Sequence, residues 1–219
     1  MVHPLPWLRS VEPSALVALT VVPRGAHAAG SVADALVIHD RVEQARRQAC
    51  GLGAVTSLAL LDSLMNLPAG EPVRVRDLSE DTWHQVLGAP IGAVEVDGGW
   101  VTRMLTPPLT VVAVLVRETA WRPALRRAGR FHPFAQRLVL VDQVPSPKLT
   151  WEAQVAGIGV WADLGGQPHE VCRPEPYVRR YWKAAGWRFA ENAYKAATTS
   201  TFLPDWSTGV PDRPVRTAS

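Results

Sequence analysis

The stretch Thr110-Val-Val-Ala-Val-Leu-Val-Arg-Glu118 constrains the fold more than any other. Residues 110–116 are unbroken apolar chain, mostly β-branched, entered through Pro107-Pro108 and left through Arg117-Glu118. Such a run has no polar side to turn to water, so it reads as a strand buried on both faces. Residues 121–131 follow with helical spacing: Leu125 and Ala128 share one side, while Arg122, Arg126, Arg127 and Arg130 occupy the rest. Pro123 suits a first helical turn. Residues 137–141 form a second apolar run. A short helical crossover between two buried strands predicts a parallel pair.

The flanking chain supplies further elements. Residues 15–22 read as a strand and 23–30 as a loop. Residues from 31 onward read as a helix, with Ser31 as N-cap, Asp34 in its first turn, and Ala35, Val42, Ala45 and Ala49 on one face. A second helix spans 55–67, with Leu58, Leu61 and Met65 on a stripe, and residues 68–70 stop it. Residues 72–76 alternate like a strand, and 79–87 form a short helix. Residues 93–96 and 100–105 make a hairpin about Asp97-Gly98-Gly99 that leads into the central run. Residues 149–156 read as a helix, 160–163 and 169–172 as strands paired about Gly165-Gly166, and 177–197 as a C-terminal helix. The expectation is a single α/β domain over 1–197, with its core at about 91–172, and a flexible tail over 198–219.

With 219 residues, 47% of them hydrophobic and 20% charged, the chain is long enough for one good core. A net charge of +3 permits nucleic-acid contact without demanding it. The basic charge is almost all arginine, the lysines being Lys148, Lys183 and Lys195. Cys50 and Cys172 make neither a disulfide framework nor a zinc site. No apolar run reaches membrane-spanning length, and residues 1–7 lack the pattern of a signal peptide; a cytoplasmic location is the expectation. There is no Gly-x-Ser-x-Gly elbow. Gly51-x-Gly53 lacks the third glycine of a dinucleotide loop.

Four segments carry a family resemblance: Ala113-Val-Leu-Val-Arg117, Trp121-Arg-Pro-Ala-Leu125, Arg137-Leu-Val-Leu-Val141 and Gly157-Ile-Gly-Val-Trp161. In order and spacing they resemble the core of the PD-(D/E)XK, or restriction-endonuclease-like, superfamily, over about residues 91–172. The resemblance implies a restriction-endonuclease-like core, a mixed central sheet flanked by helices, here with an N-terminal helical elaboration. It also implies where the chemistry would stand. Leu115 takes the place of the metal-binding Glu, and Arg117 that of the catalytic Lys. Leucine cannot bind a hard cation, and arginine does not deprotonate at working pH. The family's hairpin Asp is expected near residues 103–105, where there is no acid. The implied protein is a pseudoenzyme with no catalytic residue, no metal and no cofactor. The alternative is a live Mg²⁺-dependent nuclease whose carboxylates have migrated to Glu95, Asp97, Glu118 or Glu43.

Arg117, Arg122, Arg126, Arg127 and Arg130 are the candidate nucleic-acid-binding residues, since a planar guanidinium matches phosphate bidentately. Glu118 is the lone acid among them. The plain alternative is a solvated helix face. Arg179, Arg180, Lys183, Arg188 and Lys195 interleave with Tyr181, Trp182, Trp187, Phe189 and Tyr194 near the C-terminus. They read either as a stacking surface for single strands or as aromatic anchors between wet charges. His39 and His132 have no ligand partners at metal spacing. Three functions follow: an inactive nuclease-like module that associates with DNA or RNA or regulates; an active nuclease with displaced carboxylates; and a subunit that binds a protein partner. None of them involves a membrane.

Overall fold

The computed structural model describes residues 19–179 and 183–199. The expectations for residues 1–18 and 200–219, and for Arg180, Tyr181 and Trp182, lie outside the described residues. The protein is a mixed α/β structure with six helices among the described residues. Its main sheet has the order β1 (Leu19–Ala28), β2 (Ser31–His39), β6 (Leu109–Arg117), β7 (Gln136–Val141), β8 (Gly159–Asp163), β9 (Pro168–Cys172). β6, β7 and β8 are parallel neighbours, while β1–β2, β2–β6 and β8–β9 are antiparallel. The apolar run therefore does lie at the centre of a mixed sheet. Helix α4 (Trp121–Gly129) carries the chain from β6 to β7, and α5 (Pro147–Val155) from β7 to β8.

The helix expected from Ser31 onward is instead strand β2. Ala29 and Gly30 both have positive φ, 46° and 74°, which makes a two-residue hairpin turn of the kind whose twist suits the flanking strands. Pairing with β1 and β6 on both sides then overrides the local capping signal at Ser31. The helix begins only at α1 (Arg41–Ala49), where the Asp40 carboxylate accepts the Glu43 amide at 3.0 Å.

Between β2 and β6 the chain makes a second layer. It comprises α1, α2 (Leu58–Met65), β3 (Pro72–Arg74), a 3₁₀ turn (Val75–Asp77), α3 (Glu80–Leu87), β4 (Val94–Asp97) and β5 (Trp100–Arg103). The Asp97-Gly hairpin forms as expected, but it belongs to a separate sheet of order β3-β5-β4 and does not border β6. Leu60, Leu61, Leu64, Val86, Val101 and Leu105 are the centre of this layer's core. Leu58, one of the expected stripe residues, is 40% exposed.

The two cores meet at α6 (Ala184–Thr199). Its Trp187 joins the small core, while Phe189, Ala190, Ala193 and Tyr194 join the large one. Glu191, between them, is fully buried and uses both carboxylate oxygens twice. Oε1 accepts from Arg47 Nη2 (2.7 Å) and Trp187 Nε1 (3.1 Å); Oε2 accepts from Arg47 Nη1 (2.9 Å) and the Val55 amide (2.9 Å). Arg47, also fully buried, donates its Nε to Glu43 (2.7 Å) and Nη2 to the Thr106 carbonyl (2.8 Å). Glu43 is gripped again by Arg46, at 2.8 and 2.9 Å. Burial pushes the Glu43 carboxyl up, but the two arginines outweigh it and hold it below its ordinary range. Buried charges persist only when paired and hydrogen-bonded in this way.

The Gly157-Ile-Gly motif also has a packing reason. Gly159 lies opposite Leu138, and a Cβ there would stand 2.7 Å from both Leu138 Cδ2 and Pro174 Cδ. Only glycine lets β8 approach that closely.

Candidate functional site

Helices α4 and α6 pack on one face of the main sheet, against Val111, Val114 and Val116 of β6 and Val139 of β7. The opposite face carries Leu36, Ala113, Leu138 and Trp161. Register fixes what stands together on it. Asp34 of β2 lies opposite Leu115 of β6, which lies opposite Leu138. One step further, Arg117 lies opposite Leu140, which lies opposite Trp161. The strand that precedes β6 in the sheet is thus β2, and its residue beside Leu115 is an acid. That acid is missed when the hairpin around Asp97 is taken as the neighbour.

The Asp34 carboxylate is already occupied. Its Oδ2 accepts Arg117 Nε at 2.9 Å, and its Oδ1 accepts the Arg24 amide at 3.0 Å. Arg24 sits in a bulge of β1, where the register shifts between Val22 and Ala26, and has φ of 53°. Bulges of this kind redirect a strand at sheet rims and beside functional sites. Here the bulge aims a backbone N–H at Asp34. Arg117 is 61% exposed, and its guanidinium stands where a cation would have to bind this carboxylate.

The five arginines divide into three groups. Arg117 projects from the sheet face opposite α4. Arg127 pairs with Glu118 (Nη2 to Oε2, 2.9 Å), and Arg130 donates to the Ala29 carbonyl (3.0 Å) and the Ser31 hydroxyl (3.1 Å) at the β1–β2 turn. Arg122 and Arg126 are exposed, one turn apart on α4, with no partner among the described residues. The remaining proposed carboxylates are scattered. Glu95 and Asp97 are on β4 in the other sheet, Glu43 is locked under Arg46 and Arg47, and Glu118 serves Arg127. No group of three His, Cys, Asp or Glu among the described residues could hold a metal ion.

Trp187, Phe189 and Tyr194 of the C-terminal segment are buried, while Arg188 and Lys195 are exposed. These three aromatics are anchors rather than a stacking surface. His39 is half-buried on β2, its Nδ1 accepting from Gln44 Nε2 at 2.7 Å, and burial lowers its pKa. His132 is exposed just beyond α4.

A cleft of about 460 Å³ opens at the C-terminal ends of β6 and β7, walled by Trp121, Val144 and Leu149. Its signal in the sequence is slight, because the lining is divided between two segments, 119–121 and 141–149.

No helix of the described residues is long and apolar enough to cross a membrane. Neither a protein-family model nor a curated protein nor a solved structure gives a significant match to this chain.

Proposed function

We propose that this chain is a nuclease-like module of the restriction-endonuclease type that has lost its catalytic site and contacts the backbone of DNA or RNA through arginine. The observation that carries the reading is the constellation of Asp34, Leu115 and Arg117. A hairpin acid stands beside the strand position where the family's Glu would be, with a basic residue two places on. The order of hairpin, strand, helix, strand and Gly-Ile-Gly strand within one sheet supports the same reading. One carboxylate neutralised by a guanidinium gives Mg²⁺ neither the oxygen ligands nor the charge it needs.

The purified chain is expected to leave supercoiled and single-stranded DNA intact in Mg²⁺ or Mn²⁺. Metal-dependent cleavage abolished by Asp34→Asn or Glu118→Gln would replace this reading with that of an active nuclease with displaced carboxylates.

Binding rests on Arg122 and Arg126, the two arginines of α4 that no acid or carbonyl among the described residues engages. Affinity should be modest, salt-dependent and similar for unrelated sequences. Arg122→Ala with Arg126→Ala should flatten the log-affinity against log-salt slope by roughly 0.9 per lost contact on duplex and roughly 0.7 on single strands. Arg127→Ala should change it little. An anisotropy titration at low salt decides. No binding at micromolar protein would leave the protein-interaction subunit as the better reading. That second reading is favoured by Trp151 and Val155, 62% and 68% exposed one turn apart on α5.

A further inference from the structure

We infer that the cleft at the ends of β6 and β7 takes an unpaired nucleobase bearing an amino group, beside the phosphate contacts of α4; this rests on the nucleic-acid reading above. The walls are those of a site for a flat, uncharged ring. Trp121 is half-buried, and its indole N–H donates to Glu152 Oε2 at 3.2 Å, which restrains the ring. Val144, 54% exposed, and the half-buried Leu149 supply apolar surface for the rest of such a ring. The volume of about 460 Å³ falls within the usual range for small-molecule sites, roughly 300–1,000 Å³.

The polar groups at the rim choose the ligand. Asp142 and Gln143 are exposed and have no hydrogen-bond partner among the described residues. A carboxylate only accepts, so Asp142 favours the exocyclic N–H₂ of cytosine, adenine or guanine over uracil or thymine, whose one N–H on that edge, N3–H, lies between two carbonyl oxygens that repel a carboxylate. No lysine or arginine lines the cleft, so an anionic group would find no partner inside it. The cations lie next door. Arg122 follows Trp121 directly in α4, and Arg126 is one turn on, both exposed. A single strand thus meets an aromatic wall and an acceptor at one point and two free guanidinium groups along the adjoining helix. Stacking on an aromatic side chain tolerates any base, and the Asp142 contact adds the preference.

The test uses the full chain and short oligonucleotides of one base each. Oligo(dC) and oligo(dA) should bind at least about five-fold more tightly than oligo(dT), the low end of what one good base-edge contact supplies. Asp142→Ala, which removes the acceptor, should erase that ratio without changing the salt slope. Arg122→Ala with Arg126→Ala should lower the slope and keep the ratio. Cytidine and adenosine, which carry no phosphate, should perturb the Trp121 indole resonance, with uridine much weaker; this arm tests the cleft apart from the strand. Trp121→Leu guards against misfolding as a cause, since it keeps an apolar side chain at α4 while removing the stacking surface, and it should weaken all bases alike. Salt-dependent binding with equal affinity for the three strands, unaltered by Asp142→Ala, would overturn the base site and leave the proposed backbone contact standing. Absence of strand binding together with silence of the nucleosides would overturn both.

Discussion

Glu191→Ala should destabilise the protein by about 3–5 kcal/mol, the scale for breaking a buried ion pair by removing one partner. The reason is the number of donors left behind. Two Arg47 nitrogens, the Trp187 indole and the Val55 amide all give their hydrogens to this carboxylate. Removing it leaves Arg47, fully buried, with Glu43 as its one acidic partner among the described residues. A small domain has only about 5–15 kcal/mol to lose, so the variant approaches the unfolding threshold. Because α6 joins the two cores at this point, both should loosen together. Denaturant unfolding followed by tryptophan fluorescence and by far-ultraviolet dichroism measures the loss. Glu191→Gln keeps the shape and two acceptor sites of the side chain, so it should cost less. A loss below about 1 kcal/mol for Glu191→Ala would show that water or rearrangement replaces the carboxylate at little cost.

Phe131→Ala should cost about 3–5 kcal/mol through the cavity it leaves. Phe131 is fully buried just beyond α4 and lies 6.2 Å, centroid to centroid, from Phe189 of α6. Phe189 stacks in turn on Phe134 at 4.7 Å. The three rings tie the end of the crossover helix to the C-terminal helix over the face of β6 and β7. Truncation removes a ring whose neighbours are fixed by the sheet, so the space cannot close fully. Phe131→Leu, which fills part of the volume, should retain much of the stability. A midpoint shift with an unchanged denaturant slope is the expected form of the result. Equal stabilities for Phe131→Ala and the parent would mean that the α4–α6 contact contributes little.

The two largest effects fall on clusters of different legibility, the Phe131 rings and the Arg47–Glu191 pair. Phe131 stands out in the sequence as the apolar end of a helical pattern. Nothing in Arg-Val-Glu-Gln-Ala-Arg-Arg marks Arg47 as buried, because i,i+4 Glu–Arg spacing reads equally well on a wet helix face. The same limit governs the candidate site. Arg122, Arg126, Arg127 and Arg130 are adjacent in sequence, yet which of them is free depends on Glu118 and on the β1–β2 turn.

Local residue pattern is enough to specify the parallel unit of β6, α4 and β7, the Asp97-Gly hairpin, the short helix after Ser79, and the pairing of β8 with β9. Each is governed by local periodicity or turn chemistry, which act over a few residues. Long-range pairing makes Ser31–His39 a strand, since hydrogen bonding on both edges outweighs a helix-start signal. It also places Asp34 beside Leu115. That neighbour comes from a strand about 80 residues away in sequence: β2 holds the place beside β6 where the adjoining hairpin is expected, and the hairpin itself lies in the separate sheet. Strand order depends on which apolar faces can be buried together, and that is a property of the whole chain.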